Sequence, residues 1–236
     1  MTDPLDLIRD RKSWRVPFDA GRAIPKEDLL RVLEAARWTP SAHNMQNWEI
    51  VVVDDPAVLA RLAQAERPIS EAFIKENYEH LSFSKEELLR RKTGLLASMF
   101  PAAWQTPDYK PDVEADALGT DGISSRQRAL LPGPVMLVVV YDPSRRAPAS
   151  DGDFLGIVSL GCLMENIWLE AEALGLGVQI VSLLADAAAL GDILGIPERL
   201  RVAYSVRLGY PVKQPEDYLR VRLDVEDFTY FNRYGG

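Results

Sequence analysis

Runs of apolar residues along the chain predict a small set of strands separated by helices. A short, continuous apolar run bounded by turn residues is typical of a buried strand. Such runs occur at residues 48–53, 134–141, 178–183 and 201–208. Their order shows no strict strand–helix alternation. The sequence therefore predicts an α+β fold with a central, mostly antiparallel or mixed sheet of about four to five strands flanked by helices.

Helices are predicted where apolar residues recur every three to four positions. Prolines at 25 and 56 mark two helix starts, because the missing proline N–H is not needed in the first helical turn. The helix after Pro25 must end before Pro40, since a residue that precedes proline disfavours helical backbone. Its predicted apolar face consists of Leu29, Leu30, Leu33 and Ala36. Further helices are predicted at about residues 5–11, 55–65, 153–174 and 186–194.

The helix predicted over residues 153–174 is apolar on most of its sides, which indicates a central or interface position. Gly175 follows as its expected C-terminal stop. Glu165 and Asn166 are unusual in this apolar setting, and we expect them to cap a contact between helices across a dimer. Cys162 is expected to pack as a small hydrophobic residue rather than to act as a nucleophile.

Two segments depart from this regular pattern. Residues 66–131 contain one clear helix signal, a capping box at residues 84–87 that leads to Leu88, Leu89, Leu95 and Leu96. The rest of that segment is too long for an ordinary connection and carries aromatic residues, which favours a lid or a dimer contact. The tail at 210–236 contains Phe228, Tyr230, Phe231 and Tyr234, which we expect to be buried on another subunit. We therefore predict a single domain over residues 1–236, with a variable lid or insertion at about 66–131 and a C-terminal extension at about 210–236 that packs on the partner subunit.

Composition and charge restrict the possible functions. The 236 residues are 47% apolar and 26% charged, as in an ordinary soluble globular protein. A net charge of -8 argues against a general nucleic-acid or membrane-surface binder, but it allows a local basic pocket for one phosphate. One cysteine and two histidines make a disulfide, a thiolate cluster and a histidine metal site unexpected. Because no signal peptide or membrane-length apolar run is evident, we expect a cytoplasmic protein.

Two basic clusters are candidates for phosphate binding. Arg11, Lys12, Ser13 and Arg15 combine cations with a hydroxyl donor, and guanidinium groups bind phosphate through paired N–H donors. Taken in isolation, the same residues favour a solvated basic turn, since runs of charged residues usually lie at the surface. Arg220 and Arg222 alternate, so an extended segment would present both side chains on one face. That pair fits either a phosphate clamp or a charged edge strand.

A polar loop lies between an apolar helix and an apolar strand. The carboxamides of Asn44 and Gln46, together with Ser41, can donate to and accept from the edge of a polar ring, or they can cap the loop itself. His43 is expected to be a loop residue rather than a catalytic base. The sequence shows no Ser-His-Asp set, no paired carboxylates and no phosphate-binding P-loop. An enzyme without an evident acid or base points to a cofactor that carries the chemistry.

A dinucleotide-binding domain is not indicated. Gly175-Leu-Gly177 follows a predicted helix rather than a strand, and no third glycine follows at the required spacing.

Five motifs, in this order, resemble those of the flavin-dependent nitroreductase family. They are Arg-Lys-Ser-Trp-Arg at 11–15, Pro-Ser-Ala-His-Asn-Met-Gln-Asn-Trp at 40–48, Ser-Leu-Gly at 159–161 with Asn166 and the Gly-Leu-Gly at 175–177, Leu-Gly-Tyr-Pro at 208–211, and Arg-Val-Arg-Leu at 220–223 with Phe-Asn-Arg-Tyr-Gly at 231–235. The resemblance covers both ends and the centre of the chain, and it lapses between about 66 and 131.

The resemblance implies an intertwined α+β homodimer that binds FMN at the subunit interface and uses NADH or NADPH as reductant. It implies a ping-pong reaction in which hydride passes from the nicotinamide to flavin N5 and then to a small acceptor, by default a nitroaromatic or a quinone. No side chain is then required as acid, base or nucleophile, and no metal is expected.

The resemblance also implies roles for residues that match the motifs. The FMN phosphate is assigned to Arg11, Ser13, Arg220 and Arg222, with assistance from Lys12. Arg15 is assigned to the pyrimidine side of the flavin, where a cation stabilises the reduced, anionic ring. Pro40, Ser41 and Ala42 would line the flavin of the partner subunit, and Asn44 and Gln46 would meet its ring edge or ribityl hydroxyls. Val181, Ser182 and Leu183 would lie beside N5.

Other functions remain open at this point. On the same fold, reductive dehalogenation, flavin cleavage with oxygen and oxidation of a biosynthetic intermediate are alternatives. From other classes, the protein could bind flavin without turnover, or be an interaction module that uses its aromatic tail. Two departures from the family pattern bear on the site: Ser182 and Leu183 stand where many relatives carry glutamate and glycine, and His43 stands where small residues are common.

Overall fold

The computed structural model describes residues 3–14, 16–65, 82–92, 95–96, 134–181, 187–212 and 221–235. The helices, in chain order, are α1 (Pro4–Asp10), α2 (Lys26–Arg37), α3 (Pro56–Ala65), α4 (Lys85–Arg91), α5 (Phe154–Ala173), α6 (Ala187–Leu194) and α7 (Val225–Phe228). The strands are β1 (Trp48–Val53), β2 (Ser82–Phe83), β3 (Leu95–Leu96), β4 (Val135–Tyr141), β5 (Gly177–Val181) and β6 (Arg201–Gly209). The chain divides into two compact units, one formed by residues 1–67 and 127–214 and the other by residues 68–126 and 215–236.

The first unit is built on an antiparallel sheet with the strand order β1-β4-β6-β5. Strand β4 is buried along its whole length, because helices cover both faces of the sheet. On one face α2 and α5 pack against side chains such as Leu137 and Val206. On the other face α3 and α6 pack against Met136, Val138 and Val140. The predicted α+β fold with an antiparallel sheet flanked by helices is confirmed.

The buried face of α2 differs from the prediction at two positions, Leu30 and Val32. Val32 and Ala36 are buried, whereas Leu30 is exposed. The helix lies with Val32 toward α5 and the sheet, which turns Leu30 to the outside. Pro25 precedes the first helical residue and occupies the N-cap, and the helix ends before Pro40 as expected.

Helix α5 is the central helix of the first unit. Its Leu163, Ile167 and Ala171 face the sheet and are fully buried. Its length and apolar composition alone would allow it to cross a membrane. Here it packs instead between the sheet and α2 as a core helix, as the sequence predicted.

The segment after α1 covers one end of the sheet through Phe18. A Cβ on Gly177 would lie 2.8 Å from the Phe18 ring, and a Cβ on Gly209 would lie 2.7 Å from Phe18 Cβ. These two glycines are direct partners in the β5–β6 ladder. They therefore form a flat surface on which the Phe18 ring can lie. The ring covers the fully buried Arg207, whose Cζ is 4.7 Å from the ring centre.

The second unit contains a short parallel pair, β2 with β3, and the helices α4 and α7. Ser84 caps α4 by accepting a hydrogen bond from the Glu87 N–H, as expected. The helix is shorter than predicted, because Lys92 adopts a left-handed conformation and residues 95–96 then form β3. The Lys92 ammonium pairs with Asp224 and with Asp227, which lies 2.8 Å away, so residues of the predicted insertion and of the predicted extension are in contact. The rest of the predicted lid lies largely outside the described residues.

Candidate functional site

The first basic motif lies along the free edge of the sheet. Ser13 forms a parallel bridge with Val178 of the edge strand β5. The Trp14 N–H donates to the Val178 carbonyl at 2.8 Å. This pairing adds one short segment to the edge of the sheet, and it fixes the backbone of the segment that carries Arg11 and Ser13.

Helix α5 holds Arg11 from one side. Glu165 and Trp168 are three residues apart and so share a face of the helix. Arg11 Nε lies 3.4 Å from Glu165 Oε1, and the guanidinium carbon lies 4.3 Å from the centre of the Trp168 ring. The Trp168 indole N–H also donates to the Lys12 carbonyl at 3.2 Å. The position of Arg11 is therefore set by the central helix of the fold.

Lys12 points to a different environment from Arg11. Its Nζ lies 4.7 Å from the centre of the Trp14 ring. The Trp14 indole N–H donates to Glu172 at 3.1 Å, one further turn along the same face of α5. Trp14, Glu172 and Arg22 line a cleft of about 260 Å³. Burial raises the pKa of the Glu172 carboxyl, and the hydrogen bond from Trp14 and the nearby charge of Lys12 oppose this only in part.

The polar loop has an unusual backbone. Ala42–Asn44 form a single 3-10 turn, and His43, Asn44 and Gln46 have positive φ angles of 52°, 52° and 45°. Ser41 Oγ accepts the Gln46 N–H at 3.0 Å, and the Gln46 side-chain amide donates to Asn44 Oδ1 at 2.9 Å. The carboxamides of Asn44 and Gln46 are exposed at the surface. Hydrogen bonds within the loop thus hold its backbone, and the carboxamides of Asn44 and Gln46 lie at the surface.

Neighbouring elements hold this loop from behind. The Ala42 N–H donates to Ser159 Oγ of α5 at 3.2 Å. Arg145 Nη2 donates to the Met45 carbonyl at 2.9 Å from the turn after β4. The sequence predicted the loop, but it gave no indication that Arg145 would support it.

The end of β5 is fixed by a residue that the sequence reasoning did not identify. Ser205 Oγ, which is fully buried, donates to the Val181 carbonyl at 3.1 Å. On the same face of β6, Arg207 donates to Gln179 Oε1. The sequence does show a serine and an arginine two positions apart in an apolar strand. It does not show their partners, because these lie on another strand. Val181 is thereby held at the point where the chain leaves the sheet.

Some predicted site residues come together in the structure and others do not. Ser13 lies on the β5 edge beside Val178, three positions before Val181, and Arg11 precedes it on the same segment. The loop that follows Pro40 is attached to another side of α5, at Ser159. Ser159 and Glu165 are six residues apart, which places them about 9 Å apart along the helix axis. The two groups of predicted site residues therefore lie at separate places on one chain.

Several predicted residues lie outside this arrangement. Arg15, Ser182, Leu183 and Arg220 are outside the described residues. Arg222 belongs to the second unit, where it is exposed and donates through Nη1 to the Val221 carbonyl at 2.8 Å. Within the described ranges, no group of three or more His, Cys, Asp and Glu side chains is placed to hold a metal ion.

Glu165 and Asn166 of α5 have partners within the chain. Glu165 pairs with Arg11. Asn166 donates to Thr39 Oγ1 at 3.1 Å. These polar residues connect α5 to the N-terminal segment and to the end of α2, and the expected contact with a helix of another subunit stays a prediction.

Comparison with known proteins assigns the chain to a family. The family model described as "Nitroreductase family" matches residues 8–210. The chain is 26% identical to the chloronitrobenzene nitroreductase of Comamonas testosteroni over 232 residues, which cover 96% of this chain and 95% of that protein. It is 29% identical to a NADH dehydrogenase of Thermus thermophilus over 204 residues, covering 86% and 84%.

Solved structures agree at the level of the fold. An FMN-dependent nitroreductase from Clostridium difficile matches with a TM-score of 0.60 and 17% identity, over 98% of this chain and 99% of that one. The match of the family model over most of the chain confirms the resemblance drawn from the sequence motifs. The chain belongs to the nitroreductase family.

Proposed function

We propose that this protein is an FMN-dependent NAD(P)H oxidoreductase that reduces a small acceptor, such as a nitroaromatic or a quinone, in a ping-pong cycle. Membership of the nitroreductase family supports an oxidoreductase. The names of two relatives, a chloronitrobenzene nitroreductase and a NADH dehydrogenase, support a nitro acceptor and a nicotinamide reductant. The FMN-dependent nitroreductase of the same fold supports the cofactor.

The observation that carries this proposal is the bridge between Ser13 and Val178. It puts the cation and hydroxyl donors of Arg11 and Ser13 on the strand that ends at Val181. Three residues of strand separate Val178 from Val181, about 10 Å along the edge. We propose that the FMN phosphate lies at Arg11 and Ser13 and that the ring lies toward the Val181 end of this edge.

The donor chemistry of the site fits FMN. A guanidinium and a hydroxyl suit a phosphate, which accepts several hydrogen bonds. The exposed carboxamides of Asn44 and Gln46 suit a ring edge that alternates donors and acceptors. FMN, when bound, supplies two-electron transfer between the nicotinamide and the acceptor. The protein binds and orients the ring, and Arg15 is proposed to favour its reduced, anionic form.

A second copy of the chain would complete the site. We propose that these two groups are half-sites, in which the loop of one copy meets a flavin held by Arg11 and Ser13 of the other, since within one copy they lie on different sides of α5. The first turns of α5, before Ser159, expose apolar side chains, with Phe154, Ile157 and Val158 at 62%, 50% and 48% exposure. Such a contiguous apolar face is typical of an interface. We infer a homodimer in which Pro40, Ser41 and Ala42 of one subunit line the flavin of the other.

The C-terminal segment is proposed to add to this dimer. Phe231 and Tyr234 are 79% and 89% exposed, although large aromatic side chains gain free energy when buried. We propose that the extension at about 210–236 packs on the partner subunit, and that Arg220 and Arg222 reach the FMN phosphate. The insertion at about 66–131 is proposed as the lid over the acceptor. A cytoplasmic location is proposed for the enzyme.

The experiment that tests the proposal begins with the absorbance spectrum of the purified protein. We expect flavin bands near 370 and 450 nm, or their appearance on titration with FMN. Under anaerobic conditions NADH or NADPH should bleach these bands, and a nitroaromatic or quinone should restore them. A protein that takes up no FMN contradicts the proposal. Uptake without bleaching by either nicotinamide favours flavin binding without turnover.

The remaining alternatives are separated by the choice of acceptor. Steady-state assays with nitroaromatic, quinone and halogenated aromatic compounds compare kcat/KM under identical conditions. A preference for the halogenated compound, with release of halide, would replace the proposed reaction with reductive dehalogenation. Rapid loss of the flavin itself in the presence of oxygen would indicate flavin cleavage.

A further inference from the structure

The loop of residues 41–47 adopts a backbone that its own residues disfavour. His43, Asn44 and Gln46 all have positive φ angles, between 45° and 52°. Residues other than glycine seldom adopt this region, although asparagine and histidine do so more often than glutamine, and the loop contains no glycine. Such a backbone persists when surrounding contacts hold it in place. The contacts that hold this backbone therefore determine the shape of the loop.

Arg145 is the contact from the turn after β4. Its Nη2 donates to the Met45 carbonyl at 2.9 Å. That carbonyl lies between the left-handed residues Asn44 and Gln46, so the bond acts at the centre of the disfavoured backbone. The turn that carries Arg145 is itself tied to the loop, because the Asp142 N–H donates to the Asn47 carbonyl at 3.3 Å.

Helix α5 supports the loop from the other direction. Ser159 Oγ donates to the Leu155 carbonyl at 2.8 Å and accepts the Ala42 N–H at 3.2 Å. Asn47 is buried, and its Nδ2 lies 2.8 Å from where a Cβ on Gly156 would stand. The absence of a side chain at Gly156 thus lets the last loop residue approach the helix.

We propose that Arg145 is a positioning residue that holds the 41–47 loop in the shape that meets the flavin of the partner subunit, with Gly156 providing the space behind it. The inference rests on the proposed function, because it takes Ser41, Asn44 and Gln46 as flavin contacts. Arg145 acts through the Met45 carbonyl and is not itself a ligand of the flavin. Its effect should fall on the ring and ribityl contacts rather than on the phosphate.

Arg145→Ala in the full-length protein tests this directly. FMN and riboflavin affinities are measured by quenching of flavin fluorescence, and the melting temperature is measured alongside. We expect both affinities to fall by the same factor, about three- to tenfold, since one hydrogen bond from a charged donor is lost. Arg145→Lys should recover part of the loss, because its ammonium can still donate to the carbonyl.

Arg146→Ala is the matched control. Arg146 is the exposed neighbour in the same turn, and its Nε donates only weakly, at 3.4 Å, to the Pro143 carbonyl. The same charge is removed, but no contact to the loop is lost. We expect its flavin affinities and melting temperature to equal those of the wild type. Equal flavin affinities for the Arg145 and Arg146 variants would overturn the role of Arg145.

Gly156→Ala provides an independent test from the opposite side of the loop. Alanine in a helix normally stabilises it relative to glycine. Here the new methyl group would displace Asn47, so we expect weaker binding of both flavins, by a severalfold factor, without a lower melting temperature. Wild-type affinity in both Gly156→Ala and Arg145→Ala would overturn this inference alone. A wild-type protein that takes up no FMN would overturn the proposed function together with it.

Discussion

The guanidinium carbon of Arg11 lies 4.3 Å from the centre of the Trp168 ring, so the indole covers one face of the cation. Glu165 Oε1 lies 3.4 Å from the Nε of the same arginine. Stacking and ion pairing together fix the plane of a guanidinium group. The arginine that we propose for the FMN phosphate is therefore positioned by the protein itself, before any ligand binds.

Replacing Arg11 with lysine tests this preorganisation. Lysine keeps the charge but lacks the planar fork of donors that binds phosphate through two N–H groups. We expect FMN binding to weaken by about 1.5–3 kcal/mol, the usual value of a hydrogen bond to a charged group. Riboflavin, which lacks the phosphate, should bind as it does to the wild type. Fluorescence titration with both ligands measures the difference.

Arg9→Lys is the control for that substitution. Arg9 is an exposed residue in the last turn of α1, close in sequence to Arg11. The variant should bind both flavins like the wild type. If Arg11→Lys weakened FMN and riboflavin equally, the assignment of Arg11 to the phosphate would be wrong.

Arg222→Ala probes the second basic cluster. If Arg222 binds the phosphate, its loss should weaken FMN binding by about 1.5–3 kcal/mol and leave the fold intact. Isothermal titration with FMN gives the affinity, and circular dichroism checks the fold. Arg233→Ala, at another exposed arginine of the same segment, is the control. Unchanged FMN affinity in Arg222→Ala would remove this residue from the site.

The buried carboxyl of Glu172 predicts a dependence of stability on pH. Burial raises its pKa in the folded protein, so ionisation of this group opposes folding. The opposing effect is absent below the ordinary carboxyl pKa of about 4.3, and it grows as the pH rises through the raised pKa. In Glu172→Gln the amide oxygen can still accept the Trp14 N–H. We expect this variant to equal the wild type at about pH 4 and to be more stable near neutral pH.

Thermal denaturation of both proteins across that pH range provides the measurement. The quantity to compare is the difference between the two melting temperatures at each pH. A difference that stays constant with pH would mean that ionisation of Glu172 is not involved. A glutamine variant that is less stable near neutral pH would show that the carboxylate's attraction to Lys12 outweighs the effect of burial.

The contact between Phe18 and the paired glycines predicts a stability defect at Gly209. A Cβ there would lie 2.6 Å from Pro134 Cδ and 2.7 Å from Phe18 Cβ. We expect Gly209→Ala to lower the free energy of unfolding by about 1–3 kcal/mol, as overpacking of a core usually does. Urea denaturation measures the change.

The same substitution in a Phe18→Ala background identifies the contact responsible. With the ring and its Cγ removed, the new methyl group has more room, so the cost of Gly209→Ala should be smaller there. Equal costs in both backgrounds would attribute the defect to Pro134, to the Phe18 Cβ that alanine keeps, or to the strand itself.

The exposed apolar face of α5 predicts the effect of a charge at Ile157. Glutamate at this half-exposed position should prevent a second copy from packing on the helix, because a buried, unpaired carboxylate is costly. We expect Ile157→Glu to be a monomer by light scattering and to lose FMN, since the loop of the partner subunit is then missing. Leu30→Glu is the control at an apolar residue of similar exposure on α2. A dimeric Ile157→Glu variant would contradict the proposed interface.

The local elements of the fold were predictable because their signals are local. β1 and α3 lie at the predicted positions, since an apolar run and a proline after Asp55 define them within a few residues. The prediction for Leu30 was wrong because apolar spacing gives two adjoining faces of α2 that fit almost equally well. Residues 95–96 were predicted to continue the helix but form β3. The helix ends earlier because Lys92, a residue type that seldom does so, adopts a left-handed conformation.

The sequence by itself determined the main strands and helices of the first unit, the acidic net charge and the family, because periodicity, prolines and ordered motifs can be read along the chain. Only the tertiary structure decided which residues support the half-sites. Asn166 meets Thr39, 127 positions away, and Arg145 meets Met45, 100 positions away. Such partners depend on how α5 and β4 pack in space, and side chains that far apart in sequence leave no periodic signal of their contact. The same packing placed the two half-sites on different sides of α5, which is the reason for proposing that a second subunit completes them.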